Sequence, residues 1–301
     1  MSPITAEELV QRINGVFGSH AGYRALHAKG TLCKGTFTAG SEAAALTRAA
    51  HMQGEPVETT VRFSNGTGNP HHPDYAPDPR GLAVKFYLPD GSRTDIVSVT
   101  TPRFPVKTPD EFIELVEAQA NQLTFPLYIA KHPGMIKGLP ATLPTLAAPV
   151  SYASVPYYGV HAFKWIDARG GERYVRYEWT PWIPVERLKP WQARKQHRDY
   201  LQQEIATRLE AGPARFNLEV QIAEPGDSVD DPTAVWPKSR RRARVGTLEV
   251  TGLETERETG GDVLVFDPTR VTDGIELSAD PILNFRHDAY GASVSRRMPD
   301  A

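Results

Sequence analysis

The chain has 301 residues, of which 40% are hydrophobic and 23% charged, the composition of a globular protein long enough to bury a large core. Its formal net charge of -2 provides no chain-wide field that would attract nucleic acid or an anionic membrane, so neither is expected as a partner. The single cysteine, Cys33, excludes an internal disulfide and is typical of a reducing compartment. We expect one domain over residues 1–301.

The start of the chain does not have the pattern of a secretory signal. Residues 1–5 contain no basic cluster and lead directly into a charged helical pattern. The most apolar stretch, residues 123–150, is interrupted by prolines and lysines, so no membrane-spanning helix is expected there. These patterns predict a cytoplasmic protein.

Capping residues and apolar spacing predict an N-terminal helix, followed by strands. The motif TAEE at residues 5–8 has the form of a capping box, and apolar residues recur at helical spacing until Gly18. Runs of β-branched and aromatic residues, typical of strands, occur at 60–63, 82–87 and 95–99. The turn sequence PDG at 89–91 predicts that the last two runs form a hairpin.

The second half of the chain mixes helices with further strands. Thr108, followed by Pro109 and two acidic residues, predicts a helix start. Other predicted elements are strands at 160–165, 174–177 and 216–220, a charged helix at 191–211 and a C-terminal helix over 278–297. Many short strands with inserted and C-terminal helices indicate an α+β fold around an antiparallel β-barrel or a strongly curled sheet.

Arg286 and Tyr290 form the first candidate functional pair. They stand four positions apart in the predicted C-terminal helix, so their side chains lie on one face and can touch. A neighbouring cation and a bound ferric ion both favour the phenolate form of tyrosine, and tyrosine ligation of haem iron is associated with catalases. An isolated pair of this kind is more often a surface contact, so the prediction depends on the rest of the chain.

Motifs along most of the chain resemble the catalase family, in the family's order. They stand at 24–30 (RALHAKG), 61–64 (VRFS), 78–87 (DPRGLAVKFY), 101–104 (TPRF) and 266–297. The resemblance covers about residues 20–297 and is confined to the family's haem-binding core. It implies a catalase-like β-barrel with bound haem b, in a minimal form without the N-terminal arm and C-terminal domain of full-length catalases.

The resemblance also implies roles for individual residues. His27 matches the distal histidine that moves a proton during peroxide cleavage, which suits a side chain with an ordinary pKa of about 6.5. Ser64 matches the serine that orients this histidine. Tyr290 matches the iron ligand, and Arg286 matches the arginine that keeps it ionised. The remaining matches are cations that meet the haem propionates and aromatic residues of the distal pocket: Arg24, Arg62 and Arg297, and Phe104 and Phe112, respectively.

One position departs from the family pattern. Catalases have an asparagine in the strand before the Thr-Pro motif, where it assists peroxide binding, and an ungapped match places Val99 there. Loss of this donor is expected to weaken catalase turnover first, because His27 remains to move protons. The sequence therefore predicts a peroxidase that reduces hydrogen peroxide or organic hydroperoxides with a small-molecule electron donor, with weak or no catalase activity.

Two other functions stay open. A fatty-acid hydroperoxide isomerase, similar to allene oxide synthases, is disfavoured because those enzymes have a threonine before the distal histidine, where this chain has Leu26. A haem carrier or sensor would bind haem through Tyr290 and the arginines and would not need His27. Catalases are commonly oligomers, so a homodimer is the expected assembly.

Two further motifs are interpreted as solvated loops. His71, His72 and Asp74 have metal-ligand chemistry but stand in a proline-rich segment. The basic residues of 238–244 resemble a nucleic-acid patch, in a chain whose net charge is negative. The sequence lacks a glycine-rich dinucleotide motif, and binding of a nicotinamide nucleotide stays an open question.

Overall fold

The computed structural model describes residues 3–121, 123–255 and 264–295. The α-helices of these residues are α1 (Ala6–Phe17), α2 (Ala43–Leu46), α3 (Pro109–Gln119), α4 (Thr124–Lys131), α5 (Pro133–Thr142), α6 (Pro190–Ala193), α7 (Tyr200–Ala211) and α8 (Pro281–Ser295). No helix among the described residues is both long and apolar enough to cross a membrane.

The strands form one antiparallel sheet that closes on itself. They are β1 (Gly30–Ala39), β2 (Val57–Asn65), β3 (Arg80–Tyr87), β4 (Arg93–Val99), β5 (Tyr157–Tyr158), β6 (Phe163–Ile166), β7 (Glu172–Pro181), β8 (Ala214–Ile222), β9 (Arg242–Leu253) and β10 (Ile275–Leu277). Eight of these ten strands close into a barrel in the order β1-β2-β3-β4-β5-β7-β8-β9, while β6 and β10 extend the sheet beside β7. The predicted α+β fold around an antiparallel barrel is confirmed.

The inside of the barrel is the main hydrophobic core. Alternate residues of a strand point to opposite faces, so each barrel strand contributes every second side chain to this core. Large aromatic residues fill much of it, and the rings of Phe37 and Phe86 meet edge to face with centroids 5.3 Å apart. The remaining side chains of each strand lie on the outer face of the barrel.

Helices α1, α3 and α8 pack against one another. Apolar residues of α1, including Val10 and Ile13, form a buried cluster with Ile113 of α3, and Phe285 of α8 packs against that cluster. The guanidinium of Arg12 also donates two hydrogen bonds of 2.7 Å to the carboxylate of Glu117, which ties α1 to α3. The N-terminal helix therefore helps to fix the position of α8.

Local capping signals locate three helix starts. The hydroxyl of Thr5 accepts a hydrogen bond from the backbone N–H of Glu8, and that of Thr108 accepts one from Glu111, both at 3.2 Å. Both starts agree with the sequence predictions. The C-terminal helix is capped by Asp280 rather than opening at Ser278, because the Asp280 carboxylate accepts the first free backbone N–H groups.

The single helix predicted at 191–211 is wrong, because residues 194–199 separate α6 from α7. Lys29 donates to the carbonyl oxygen of Arg198 (2.9 Å) and pairs with Asp199 (2.6 Å). Asp74 accepts a hydrogen bond from the backbone N–H of Leu201 at 3.0 Å. These long-range contacts fix the start of α7. The start of the strand predicted at 160–165 is also wrong, because β6 begins at Phe163.

Candidate active site

A cross-strand row on the outer face of β1 to β4 contains the predicted distal residues. In the antiparallel register Gly30 lies opposite Ser64, Ser64 opposite Gly81, and Gly81 opposite Val99. Directly opposed residues project from the same face of a sheet, and this face is opposite to the one that fills the barrel core. Val99 therefore lies on the same surface as Ser64, two strands away.

The imidazole of His27 lies beside this row. Its Nδ1 atom is 3.0 Å from Oγ of Ser64. A Cβ atom at Gly81 would lie 2.5 Å from Oγ of Ser64 and 2.9 Å from Nδ1 of His27. The glycine of the DPRG motif therefore leaves the space that the histidine and serine side chains occupy.

His27 has a left-handed backbone conformation with φ of 54°, which is unique among the described non-glycine residues. Its backbone N–H donates to the carbonyl oxygen of Gly66 (3.0 Å), and that of Ala28 donates to Thr67 (3.1 Å). The carboxylate of Asp78 accepts hydrogen bonds from the backbone N–H groups of Gly66 (2.7 Å) and Thr67 (3.3 Å). Asp78 therefore fixes the backbone at 66–67, and this backbone in turn accepts the hydrogen bonds that fix His27 and Ala28.

The surroundings of His27 disfavour its protonated form. Desolvation, followed by the positive charge of Arg62, lowers the pKa of His27 to about 3. The charges of Arg286 and Arg24 act in the same direction, and a hydrogen bond with the backbone of Asn65 acts against them. The imidazole is therefore neutral at pH 7 and retains one nitrogen that can accept a proton.

Two of the predicted haem-binding arginines are held by backbone carbonyl groups. Arg62 donates from Nη2 to the carbonyl oxygen of Ala28 at 3.2 Å. Arg24 donates from Nη2 to the carbonyl oxygen of Leu264 at 2.8 Å, which links the start of the barrel to the segment before α8. A Cβ atom at Gly30 would lie 2.5 Å from Nη2 of Arg62, so this glycine makes space for the guanidinium.

Helix α8 carries Arg286 and Tyr290, four positions apart. Desolvation raises the pKa of Tyr290, and the positive charges of Arg286 and Arg24 oppose this shift. The arginine acts in the direction that the sequence predicts, but desolvation outweighs it in the protein alone. Arg24 and Arg286 influence both His27 and Tyr290, so these two residues share one electrostatic site.

A buried carboxylate anchors the segment that precedes α8. Asp95 of β4 pairs with Lys85 of β3 at 2.5 Å. Its other oxygen accepts hydrogen bonds from the backbone N–H of Asp267 (2.9 Å) and from Nη1 of Arg270 (3.1 Å). Asp267 in turn lies 2.8 Å from Nδ1 of His287 on α8. These contacts join the outer face of the barrel to the C-terminal helix.

Sequence reasoning missed a buried pair at the start of α8. Nδ1 of His161 lies 2.6 Å from Oδ2 of Asp280. The other oxygen, Oδ1, accepts hydrogen bonds from the backbone N–H groups of Ile282 (2.8 Å) and Leu283 (3.2 Å). An aspartate directly before a proline is a recognisable helix-start signal. Its pairing with a histidine 119 positions away has no local signal.

The protonation of His161 follows from this pairing. Burial lowers the pKa of His161 to about 4, the hydrogen bond with Asp280 opposes the shift, and the charge of Arg286 adds to it. The neutral ring donates from Nδ1 to the carboxylate, which leaves Nε2 as an acceptor. Nε2 is buried and has no hydrogen-bond partner among the described residues. A buried acceptor thus lies within the electrostatic influence of Arg286.

The two predicted pocket aromatics lie together. The ring centroids of Phe104 and Phe112 are 5.4 Å apart, and the Phe104 ring is 6.1 Å from that of His161. Both phenylalanines pack against a small apolar cluster formed by α3 and α4. Arg297 lies outside the described residues.

The interpretation of the segment around His71, His72 and Asp74 as a solvated loop is wrong for Asp74, whose side chain is fully buried. Within the described part of the chain, no group of three or more His, Cys, Asp or Glu residues is placed to hold a metal ion. Asp74 instead pairs with Lys29 at 2.6 Å. In the basic segment, Arg240 pairs with Asp227 at 2.8 Å.

Comparison with known proteins decides the family. The sequence model of the catalase family matches residues 9–300. The chain belongs to the catalase family. It is 48% identical over 298 residues to a catalase-related peroxidase of Mycolicibacterium paratuberculosis, with 98% of this chain and 95% of that protein covered. A catalase-related peroxidase of Synechococcus elongatus is 32% identical, with 98% of this chain and 89% of that protein covered.

Larger members of the catalase family also match. A catalase of Vibrio cholerae is 30% identical, and the match covers 96% of this chain but 61% of that protein. A crystal structure of a fungal catalase has a TM-score of 0.80 at 25% identity, covering 97% of this chain and 62% of that one. The chain thus spans about three fifths of the length of these two larger catalases. It is an oxidoreductase that acts on peroxide, and members of this family bind haem.

Proposed function

We propose that this chain is a haem b peroxidase that reduces hydrogen peroxide or organic hydroperoxides with electrons from a small-molecule donor. The main support for this proposal is the distance of 3.0 Å between Nδ1 of His27 and Oγ of Ser64. This contact holds a neutral imidazole on the outer face of the barrel. Weak or absent catalase activity is part of the proposal. The apolar side chain of Val99, in the same row as Ser64, supports it because valine cannot donate a hydrogen bond to peroxide.

The residues of the site fit a haem group. Haem carries two propionates, and Arg24 and Arg62 provide guanidinium groups that pair well with carboxylates. Tyr290, beside Arg286, provides a phenol oxygen as the iron ligand. When bound, haem supplies the redox chemistry that cleaves the O–O bond and accepts electrons from the donor.

His27 is the proposed proton carrier. With Nδ1 facing Ser64, its Nε2 atom accepts a proton from the peroxide. The low pKa of His27 disfavours uptake of this proton but favours its onward transfer to the leaving oxygen, as water or an alcohol forms. Ser64 fixes the ring, and Asp78 fixes the backbone through the loop at 66–67.

Arg286 and its neighbours are proposed to keep the Tyr290 oxygen anionic. The positive charge of Arg286 lowers the pKa of Tyr290, against desolvation. The neutral ring of His161, fixed by Asp280, offers a buried acceptor to the guanidinium of Arg286. Because this acceptor is neutral, it can orient the guanidinium of Arg286 without adding a second negative charge to that of the anionic Tyr290 oxygen.

The test compares donor oxidation with oxygen release by the haem-loaded protein. With hydrogen peroxide or cumene hydroperoxide and a chromogenic donor, we expect donor oxidation to exceed oxygen release. His27→Ala is expected to retain haem and lose about 100- to 10,000-fold in peroxide turnover. A haem carrier would show no loss on this substitution, and an isomerase would consume a fatty-acid hydroperoxide without a donor. Either result would refute the peroxidase proposal.

Several finer features remain predictions. We expect haem b, which the spectrum of its pyridine complex identifies, and a homodimer, which light scattering detects. A single domain over residues 1–301 predicts one cooperative unfolding transition. A cytoplasmic location and a small-molecule electron donor also follow from the sequence reasoning.

A further inference from the structure

Helices α4 and α5 and the residues that flank them expose large apolar side chains to solvent. Of the ten exposed large hydrophobic side chains among the described residues, four lie in this short part of the chain. They are Leu123 (81% exposed), Leu127 (65%), Ile136 (47%) and Leu143 (57%). We refer to these four residues as the α4–α5 apolar face. Their concentration distinguishes this surface from one with scattered single apolar residues.

The opposite side of the same helices is also apolar and is already covered. Tyr128 of α4 is buried in a cluster with Leu115 of α3, and Phe125 and Met135 pack against it. The hydroxyl of Tyr128 donates to the carbonyl oxygen of Glu111 at 3.1 Å, which fastens α4 to α3. Helices that are apolar on both sides are typically covered on both sides. The described fold covers only one side of these helices, so a partner for the exposed side must come from another molecule.

The α4–α5 apolar face belongs to a part of the chain whose charged residues are all positive. Residues 118–166 contain no Asp or Glu. Lys131 is exposed at the end of α4, four positions after Leu127 and therefore on the same side of that helix. The guanidinium of Arg103 instead lies against Gly138, on the side of α5 opposite to Ile136. A two-fold contact with a second copy would bring cations towards cations. An anionic lipid surface supplies both an apolar layer and opposite charge.

We propose that the α4–α5 apolar face binds the surface of an anionic lipid bilayer. The four apolar side chains enter the boundary between headgroups and acyl chains, and Lys131 lies at the level of the headgroups. This mode requires no membrane-spanning helix. The chain-wide charge of -2 does not predict it, because that sum hides the segment 118–166, which contains three lysines and no acidic residue.

The location of this surface suggests a source of peroxide. The apolar cluster beneath α4 includes partly buried Phe104 and Phe112, the proposed aromatic residues of the distal pocket. A bilayer bound to the α4–α5 apolar face would lie next to that pocket. Hydroperoxides carried on lipid acyl chains are therefore expected substrates, and this step rests on the proposed peroxidase function.

The test uses sedimentation of the haem-loaded protein with lipid vesicles. We expect binding to vesicles that contain phosphatidylglycerol, weak binding to pure phosphatidylcholine, and loss of binding at high salt. The double variant Leu127→Gln with Ile136→Gln is expected to bind at least about tenfold more weakly. Val185→Gln with Val235→Gln, at exposed apolar positions elsewhere, is the matched control and should bind like the unaltered chain.

Activity provides a second, separable measurement. The double variant should reduce water-soluble cumene hydroperoxide at the normal rate but a phosphatidylcholine hydroperoxide in anionic vesicles about tenfold more slowly. Lack of vesicle binding by a preparation that reduces cumene hydroperoxide would overturn the lipid proposal. So would a dimer that the double variant abolishes, since a second copy would then cover the face. Vesicle binding without any peroxidase activity would instead count against the proposed function alone.

Discussion

Asp280 uses its two carboxylate oxygens for different tasks: Oδ2 lies 2.6 Å from Nδ1 of His161, and Oδ1 caps helix α8. One buried side chain thus orients the imidazole and fixes the start of the helix that carries Tyr290. An amide at this position can cap the helix with its oxygen, but its nitrogen is a donor and can pair with Nδ1 only if the ring proton of His161 moves to Nε2.

Asp280→Asn is therefore expected to destabilise the protein by about 1–3 kcal/mol and to change the visible spectrum of the haem-loaded form. The spectrum should change because His161 loses either its pairing or its Nε2 acceptor near Arg286, and this alters the environment of Tyr290. Thermal unfolding and absorption spectroscopy measure the two effects. Asp273→Asn is the control, since this exposed carboxylate forms an ion pair with Arg48 at the surface and its loss should change neither stability nor the spectrum appreciably. An unaltered spectrum in Asp280→Asn would restrict Asp280 to helix capping.

Gly81→Ala is expected to reduce peroxide turnover by about 100-fold while haem binding is retained. The new methyl group would press on Oγ of Ser64 and Nδ1 of His27, so the two side chains must move. Steady-state kinetics of donor oxidation measures the loss. Gly15→Ala in α1 is the matched control, because a Cβ there meets no atom within 4 Å. Equal activity of both variants would show that the His27–Ser64 geometry is not needed for turnover.

Val99→Asn is expected to increase oxygen release relative to donor oxidation. The side chain at 99 lies on the same face as Ser64, so an amide there can reach the surface beside His27. We expect an increase of about tenfold in the ratio, the effect of one added hydrogen bond to peroxide. An oxygen electrode and a chromogenic donor assay, run on the same sample, provide the ratio. A ratio that stays constant would argue against Val99 as the cause of low catalase activity.

The buried His51 should make the protein sensitive to acid. Burial lowers the pKa of His51 to about 3, so as pH falls below about 6.5 the unfolded state takes up a proton that the folded state does not. Stability is therefore lost as pH decreases towards 3. His51→Phe, next to Phe86, should reduce the slope of unfolding free energy between pH 6 and 4 by about 1.4 kcal/mol per pH unit. Denaturant unfolding at several pH values measures it, and identical slopes would refute the prediction.

The parts of the fold that depend on neighbouring residues were predictable from the sequence. The caps at Thr5 and Thr108 and the hairpin turn at Gly91, with φ of 83°, each depend on contacts within one turn. The contact between His27 and Ser64 spans 37 positions and was predicted only through the family resemblance. The pairing of His161 with Asp280 was not predicted, because neither residue carries a local signal for the other.

Long-range contacts also explain the errors. The break between α6 and α7 depends on Lys29, which is distant in sequence and binds the chain at 198–199. Helices α4 and α5 were not predicted because prolines interrupt their apolar pattern, including Pro140 inside α5. Their position is fixed by burial against α3 rather than by helical propensity.

The most direct test of the proposed active site is the absorption spectrum of the ferric haem-loaded protein with and without Tyr290→Phe. Tyr23→Phe, at an exposed tyrosine, is the control. If Tyr290 is the iron ligand, the unaltered chain and the control will share the spectrum of a tyrosinate-ligated high-spin ferric haem, and Tyr290→Phe will lose it. The same spectrum in Tyr290→Phe as in the unaltered chain would contradict the assignment of Tyr290 and the proposed peroxidase site.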